Sequence, residues 1–278
     1  MKIKIALIQS SYSNNSDENQ EKVLSYIAQA HELGAQIILP SELYLSHYFC
    51  KTQDESYFAY AHAAHNNKYL MQIQDLCKKL GVVVPFSFFE KDGPNYYNAL
   101  ACIDADGTNL GIYRKSHIPD GPGYQEKFYF RPGNTGFKVF ATRYAKLGVG
   151  ICWDQWFPEA ARIMTLKGAE MLLYPTAIGS EPQAPDLNTK NPWRRVMRGH
   201  AVANMIPVAA SNRFGVEDGQ SFYGASFACD EFGDYLINFG EEEGVKVTSV
   251  DLGAASRRRD AFGFFRDRRV DLYDELLK

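Results

Sequence analysis

Residues Leu147–Ala160 read LGVGICWDQWFPEA, and this stretch joins an apolar strand to a helix. The run Leu147–Ile151 is typical of a buried strand, and Pro158 suits the first turn of a helix predicted over Pro158–Lys167. Cys152 lies between the two, at the carboxyl end of the strand, where ligands and reactive groups gather in α/β sheets. The stretch therefore indicates an α/β fold and leaves two interpretations of Cys152, a buried apolar residue or a nucleophile.

Strands and helices alternate along the rest of the chain. Apolar runs bounded by turn residues predict further strands at Lys2–Gln9, Gln36–Leu39, Val82–Phe88, Tyr97–Ile103, Asn109–Arg114, Met171–Tyr174, Pro207–Ala210, Ala225–Ala228, Tyr235–Asn238 and Val245–Val250. Apolar residues at helical spacing predict helices from Asp17 to Gly34, over Tyr69–Leu80 and over Trp193–Met205. The turn Asp104–Gly107 predicts a hairpin between the strands on either side of it.

The number of predicted strands limits the sheet architectures that the chain can form. Open twisted sheets of about a dozen strands tend to split into two packed sheets. Hairpins between sequential strands indicate mixed rather than purely parallel sheets. No stretch of low complexity divides the 278 residues. The sequence therefore predicts a single α/β domain over residues 1–278, with two mixed sheets packed face to face.

Composition and charge exclude several classes of protein. The chain has 30 Lys and Arg against 33 Asp and Glu, a net charge of −3 and a pI near 6.1, so no basic field suggests nucleic acid or an anionic membrane as a partner. No segment approaches the ~20 apolar residues of a membrane-spanning helix, and the N-terminus does not read as a signal peptide. Five cysteines without a CxxC pair argue against a disulfide framework and a zinc ribbon. We expect a cytoplasmic protein with reduced thiols.

A cysteine nucleophile needs a group that removes the thiol proton. The chain has six histidines, but none lies in a recognisable protease signature. A carboxylate can act as the base instead, and an ammonium can hold a developing oxyanion. Glu42 follows a predicted buried strand in IILPSELYLSHY, and Lys115 ends another in LGIYRKSHIPDG. Taken singly, each is more often a solvated loop charge, and Cys152 alone is more often structural.

Taken together and in this order, the motifs PSEL (Glu42), YRKSH (Lys115) and GICWD (Cys152) resemble the nitrilase superfamily of carbon–nitrogen hydrolases. Glu126 in GPGYQEKFYFRPG occupies the place of the superfamily's second glutamate. The resemblance implies a four-layer αββα sandwich and a Glu–Lys–Cys triad with each member at the end of a strand. It also implies catalysis without a metal ion or an organic cofactor, and assembly into homo-oligomers, dimers or larger.

The resemblance assigns each residue a role. Glu42 would take the thiol proton, and Cys152 would attack a planar carbonyl carbon. Lys115 and the backbone N–H of Trp153 would hold the oxyanion, and removing one such donor typically costs ~3 kcal/mol in the transition state. The carboxylate of Glu126 completes the expected catalytic set.

Two further stretches point to the substrate. The run CWDQWFPEAARIMTLKGAEMLLYPTAIGSEP and the ending RDRRVDLYDELL are similar to those of the N-carbamoylputrescine amidase subgroup. Glu181 in TAIGSEPQ could pair with the ammonium of such a substrate, or it could be a solvated loop acid. A carboxylate-specific site would instead favour arginine close to Cys152. The expected substrate is therefore a cationic carbamoyl-amine, hydrolysed to putrescine, carbon dioxide and ammonia.

Aromatic residues near the motifs suit an apolar substrate spacer. Tyr48, Tyr124 and Trp153 are candidate walls for it, although each could equally be core. His117 and Asn98 are candidates only for supporting the catalytic residues.

The C-terminal region, about residues 253–278, carries a basic and aromatic cluster. Arg257–Arg259 and Arg266–Arg269 bracket a group of phenylalanines. Such a cluster can bind RNA, but the acidic chain favours an arm that contacts another subunit.

Two alternatives to carbamoylputrescine hydrolysis remain at this stage. One is another ureido or amide hydrolase of the same superfamily, acting on a carbamoyl amino acid or an aliphatic amide. The other is a non-catalytic scaffold with the same fold, against which the presence of all three triad residues argues.

Overall fold

The computed structural model describes residues 2–278, and these contain fourteen strands and six α-helices. The strands are β1 Lys2–Gln9, β2 Ile37–Leu39, β3 Val84–Asp92, β4 Asn95–Ile103, β5 Asn109–Arg114, β6 Lys138–Ala141, β7 Lys146–Val149, β8 Met171–Pro175, β9 Val208–Ser211, β10 Phe214–Glu217, β11 Gln220–Tyr223, β12 Phe227–Cys229, β13 Tyr235–Asn238 and β14 Gly244–Asp251. The helices are α1 Ser16–Glu32, α2 Lys68–Leu80, α3 Glu126–Tyr129, α4 Pro158–Leu166, α5 Lys190–Asn204 and α6 Leu252–Phe262.

The first layer of strands combines two three-stranded sheets. β1 pairs antiparallel with β14 and parallel with β2, and β3, β4 and β5 form an antiparallel meander. A parallel bridge between Ile37 and Val83 joins the two sheets, with the N–H of Ile38 donating to the carbonyl of Val83 at 2.9 Å. The predicted hairpin across Asp104–Gly107 is confirmed as the β4–β5 pair.

The second layer is a six-stranded mixed sheet in the order β13, β12, β9, β8, β7, β6. Its central strands β7, β8 and β9 are parallel, and the outer pairings are antiparallel. The carboxyl ends of β7 and β8 therefore lie side by side, which brings the segments after Val149 and Pro175 to one edge of the sheet.

Burial follows the two-residue period of the strands and defines four layers. On β1, Ile3, Ile5 and Leu7 pack between the two sheets, whereas Ala6 and Ile8 face α1 and α2. On the second sheet, Leu147, Val149 and Leu173 face the first sheet, and Leu172 and Val208 pack against α4 and α5. The prediction of two face-to-face mixed sheets is confirmed, with helices on both outer faces.

Local boundaries differ from the predictions where polar side chains cap an element. The first helix begins at Ser16 rather than Asp17, because the side chain of Asn15 accepts hydrogen bonds from the N–H groups of Asp17 and Glu18. The predicted strand Val82–Phe88 is shifted to Val84–Asp92, because it pairs with β4 along its whole length.

None of the helices in residues 2–278 is both long enough and apolar enough to cross a membrane. The chain ends with α6 followed by short 3₁₀ turns at Val270–Leu272 and Asp274–Leu277. Large apolar side chains remain exposed in this terminal region, namely Phe262, Phe264, Val270, Leu272, Leu276 and Leu277.

Candidate active site

Cys152 sits at a sharp turn between β7 and α4. Its φ of +40° is a left-handed conformation that costs a non-glycine residue energy, and it opens a 3₁₀ turn over Cys152–Trp156. Gly150 allows the chain to pass closely, because a Cβ there would lie 2.8 Å from the ring of Tyr174. The thiol is buried, and its Sγ contacts the carbonyl oxygen of Ala177 at 3.7 Å. The predicted strand–turn–helix is confirmed.

The buried carboxylate of Asp154 holds this turn in place. Its Oδ2 accepts from the N–H of Ile151 at 2.9 Å and from the hydroxyl of Tyr113 at 2.7 Å. Its Oδ1 accepts from the N–H of His117 at 3.0 Å and lies 2.7 Å from the Nδ1 of that ring. Since Tyr113 and His117 flank Lys115 in sequence, one carboxylate fixes the Cys152 turn against the Lys115 loop.

Lys115 lies between two glutamates, and all three side chains are fully buried. Its Nζ is 2.9 Å from Oε1 of Glu42 and 2.7 Å from Oε2 of Glu126. Asn98 donates to Oε1 of Glu42 at 2.6 Å, and Tyr48 donates to Oε1 of Glu126 at 2.8 Å. The structure thus brings the glutamates and the lysine of the predicted catalytic set together.

Burial and charge set the protonation states of this cluster. Burial alone would lower the pKa of Lys115, but the charges of Glu126 and Glu42 outweigh it and raise that pKa well above its ordinary value. Burial also raises the pKa of Glu126, against the opposing charge of Lys115. For Cys152, burial and then the charge of Glu42 raise the pKa of the thiol well above its ordinary value. The thiol is therefore protonated at neutral pH and needs a base before it can attack.

A buried arginine that the sequence did not predict supports the segment that carries Glu42. Arg213 donates from Nη2 to the carbonyl oxygens of Glu42 at 2.9 Å and Leu43 at 2.7 Å. It donates from Nη1 to the carbonyl of Ser46 at 3.0 Å and forms a buried ion pair with Glu217. The signal in the sequence was a charged residue, in VAASNRFG, directly after an apolar strand.

Aromatic side chains stand next to the buried cluster. The ring of Tyr48 lies 5.8 Å from that of Tyr124 and 5.7 Å from that of Phe222, measured between centroids. Burial raises the pKa of both tyrosine hydroxyls above the ordinary value. Phe222, on β11, was not predicted because nothing in its local sequence marks it.

Glu181 directly follows a segment that Tyr124 contacts. The hydroxyl of Tyr124 accepts from the N–H of Gly179 at 2.9 Å and donates to the carbonyl of Ser180 at 3.1 Å, which pins the segment before Glu181. Gly179 also forms a bridge with Phe222. Glu181 is half-buried, and this burial raises the pKa of its carboxyl. Burial and, to a smaller extent, the charge of Glu181 raise the pKa of the Tyr124 hydroxyl.

Two other predicted residues, Trp153 and His117, make their contacts outside the cluster of Glu42, Lys115 and Glu126. Trp153 is 39% exposed, and its ring meets that of Trp156 at 6.3 Å between centroids. Its backbone N–H lies in the first turn of the 3₁₀ segment, where donors have no intrahelical partner. His117 stacks on Phe157 at 3.7 Å and supports the site through Asp154.

Within residues 2–278 the His, Cys, Asp and Glu side chains form no group of three or more placed to hold a metal ion.

The family of this chain follows from its similarity to known proteins. The model of the carbon-nitrogen hydrolase family matches residues 4–260. The crystal structure of a carbon-nitrogen hydrolase from Helicobacter pylori G27 has a TM-score of 0.94 at 36% identity, covering 100% of this chain and 99% of that one. The chain belongs to the carbon-nitrogen hydrolase family, the nitrilase superfamily, and the expected αββα sandwich is confirmed.

Two curated relatives narrow the kind of bond that this hydrolase acts on. An N-carbamoylputrescine amidase from Arabidopsis thaliana is 52% identical over 98% of this chain and 94% of its own length. A citrullinase from Francisella tularensis subsp. tularensis is 51% identical over 99% of this chain and 98% of its own length. With these relatives, the chain is a hydrolase that acts on an amide or ureido bond.

Proposed function

We propose that this hydrolase converts N-carbamoylputrescine to putrescine, carbon dioxide and ammonia through the triad Glu42, Lys115 and Cys152. The observation that carries the choice of substrate is the half-buried carboxylate of Glu181, which directly follows the segment that the Tyr124 hydroxyl contacts. Similarity to plant N-carbamoylputrescine amidases supports the same choice.

The first step forms a covalent intermediate. Glu42 accepts the proton of the thiol, whose raised pKa otherwise keeps it neutral, and the sulfur bonds to the ureido carbon. The electron pair of the carbonyl moves onto oxygen. Lys115 and the backbone N–H of Trp153 stabilise that oxyanion. Lys115 remains cationic because of its two carboxylate neighbours, so its charge is available at neutral pH.

The second step restores the enzyme. As the oxyanion collapses, the bond between the ureido carbon and its terminal NH2 nitrogen breaks, and that nitrogen takes the proton that Glu42 received and leaves as ammonia. A carbamoyl group then remains on Cys152. A water molecule, deprotonated by a carboxylate of the pair Glu42 and Glu126, attacks that carbon and breaks the carbon–sulfur bond. The proton returns to the sulfur, and the remaining carbamate gives up carbon dioxide and an amine.

The substrate spacer and its charge fit the remaining site residues. Tyr48, Tyr124 and Trp153 offer apolar surface for the methylene chain. At the end of that chain the ammonium would meet the carboxylate of Glu181, an ion pair that discriminates against a carboxylate at the same place.

Hydrolysis of citrulline is a second candidate, because the citrullinase relative is as similar as the plant amidases. Citrulline carries the same ureido group and an ammonium, so Glu181 suits part of it. It also carries a carboxylate, which Glu181 would repel unless a cation compensates. This repulsion ranks carbamoylputrescine first.

Parallel assays of ammonia release test the proposal. The substrates are N-carbamoylputrescine, citrulline, N-carbamoyl-β-alanine and a simple aliphatic amide, each with the wild type and with Glu181→Gln. We expect the highest kcat/KM for carbamoylputrescine, and a KM for it that rises about tenfold in Glu181→Gln, as for the loss of one charged hydrogen bond of about 1.5 kcal/mol. A preference for an anionic substrate, or a KM that Glu181→Gln leaves unchanged, would overturn the assignment.

We also propose that the chain forms homo-oligomers, with the arm at about residues 253–278 in the contact between subunits. The exposed apolar side chains of that region support this, because contiguous apolar surface on a soluble chain commonly marks an interface. Arg259 and Arg162 lie over the ring of Phe265, so arginines of α6 and α4 border the same surface.

A further inference from the structure

The guanidinium of Arg213 is completely buried and points into the backbone of the segment that carries Glu42. It donates to the carbonyl oxygens of Glu42, Leu43 and Ser46. Charge-assisted donors of this kind are stronger than neutral ones. One side chain therefore donates to three carbonyl groups in the short segment that follows strand β2.

The backbone of this segment is in a conformation that needs such support. Leu43 has a φ of +50°, in the left-handed region that disfavours residues with a Cβ. The N–H of Leu43 donates to Oγ of Ser87 at 2.9 Å, while its carbonyl turns towards Arg213. Without a donor at the position of Arg213, the carbonyl of Glu42 would be buried and unpaired, and that of Leu43 would keep only the N–H of Ser46 at 3.3 Å, so the turn could relax.

The partner of Arg213 extends the same support to the other carboxylate. Glu217 accepts from the N–H of Tyr48 at 2.9 Å, and the hydroxyl of Tyr48 donates to Glu126. Glu217 also accepts from the N–H of Tyr12 at 2.9 Å. Burial raises the pKa of Glu217, and the charge of Arg213 opposes that rise.

We propose that Arg213 is a positioning residue for the hydrolysis, whose buried guanidinium fixes the Glu42–Ser46 turn so that the Glu42 carboxylate meets Lys115 and the Cys152 thiol. The inference rests on the proposed function only in taking Glu42 as the base for Cys152; it does not depend on which ureido or amide compound is the substrate. Arg213 touches no reacting atom and acts through Glu42.

A double-mutant cycle separates positioning from a general structural role. The variants are Arg213→Lys, Glu42→Gln and their combination. The readouts are kcat and KM for carbamoylputrescine and the rate at which iodoacetamide alkylates Cys152. If Arg213 acts through Glu42, its replacement lowers kcat and the alkylation rate of Cys152 only in a background where Glu42 can still serve as the base.

For Arg213→Lys we expect kcat to fall about 100-fold, as for a small misplacement of a catalytic group, with KM changed far less. We expect the alkylation rate of Cys152 to fall with it. In the Glu42→Gln background the same replacement should change the alkylation rate by about twofold or less. Equal losses in both backgrounds would overturn the inference.

Arg194→Lys is the matched control. Arg194 also donates to backbone carbonyls, those of Ala225 and Phe239, each at 2.9 Å, but it does not touch the Glu42 segment. We expect its kcat and its Cys152 alkylation rate to stay within about twofold of the wild type. A loss as large as that of Arg213→Lys would mean that any arginine holding carbonyls has this effect, which would also overturn the inference.

Two provisions keep the test decisive. If Arg213→Lys does not accumulate as folded protein, the cycle is run with the pair Arg213→Gln and Glu217→Gln, which leaves no buried charge unpaired. If the wild type does not hydrolyse carbamoylputrescine but the alkylation cycle is non-additive, the proposed substrate fails and the role of Arg213 stands. If hydrolysis proceeds and the cycle is additive, the role of Arg213 fails alone.

Discussion

Glu181 combines a charge with partial removal from water, and both matter for its proposed contact with an ammonium. Burial raises the pKa of its carboxyl, so it takes up a proton at a higher pH than an ordinary glutamate with a pKa of about 4.3. Above that pKa the carboxylate is charged and can pair with a cation. Below it the carboxyl is neutral and the attraction is lost.

The pH dependence of KM follows from the loss of the negative charge of Glu181 when its carboxyl takes up a proton. We expect the KM for carbamoylputrescine to rise as the pH falls through the raised pKa of Glu181, because the substrate ammonium stays charged over that range. The ratio of KM between Glu181→Gln and the wild type, measured across weakly acidic to neutral pH, isolates this effect from other titrating groups. A ratio that does not shrink towards acidic pH would contradict the pairing.

The residues of the buried cluster differ in how far their sequence reveals them. Glu42, Lys115 and Cys152 each follow a strand within a motif, and the order of the motifs carries the family resemblance. Asp154 lies in the same GICWD motif as Cys152, but its contacts were not predicted, and Arg213 lies in none of the motifs, although both residues hold the cluster in place. Most of their partners lie far away in the sequence, 41 positions for Asp154 and Tyr113 and 171 positions for Arg213 and Glu42, so only the folded chain brings them together.

The turn after β7 depends on Asp154, which connects two elements. Replacement by asparagine keeps the shape but puts an amide N–H₂ where one oxygen accepted from two donors. We expect Asp154→Asn to lower the free energy of unfolding by about 2 kcal/mol or more, from the loss of charged hydrogen bonds. We also expect kcat to fall about 100-fold, since the Cys152 turn and the Lys115 loop share this anchor. Chemical denaturation and steady-state kinetics measure the two effects.

Asp104→Asn is the control for that replacement. Asp104 also accepts from two backbone N–H groups, those of Ala105 and Arg143, but it lies in the β4–β5 turn. We expect a loss of stability without a loss of kcat. An Asp154→Asn variant that is as active as the wild type would show that the Asp154 contacts do not position the thiol.

Among the elements, those with strong local signals were predicted best. The β4–β5 hairpin follows from its turn residues, and α2 ends at Leu80 because Gly81, with a φ of +70°, caps the helix directly after the apolar pattern. The start of α1 and the bounds of β3 were displaced, because an asparagine cap and cross-strand pairing outweighed the local pattern. The β10–β11 hairpin was not predicted, and it supplies Phe222 and Glu217 to the site.

At the scale of the whole molecule, the division into two sheets follows from the number of strands, whereas the pairing order does not. β1 lies between β2 and β14, the latter from the other end of the chain, and no local pattern encodes that contact. The four-layer arrangement was predicted through the family resemblance rather than through the strands themselves.

The C-terminal arm gives a prediction about assembly. Leu272 and Leu276 are 61% and 68% exposed in the isolated chain, so a glutamate at each should disturb an interface without harming the core. We expect the wild type to be a dimer or larger by light scattering, and Leu272→Glu/Leu276→Glu to have a smaller mass. Leu33→Glu, at a site 51% exposed after α1, should leave the mass unchanged. A monomeric wild type would contradict the interface. A Leu272→Glu/Leu276→Glu variant with the same mass as the wild type would also contradict it.

The most direct test of the account as a whole is a single-turnover reaction of the wild type and Cys152→Ala with N-carbamoylputrescine, with ammonia and putrescine measured together. We expect the wild type to release both products and, after rapid acid quench, to carry a carbamoyl adduct on the peptide that contains Cys152. Cys152→Ala should release neither above background. Release of putrescine by Cys152→Ala at the rate of the wild type would contradict a covalent mechanism on this sulfur.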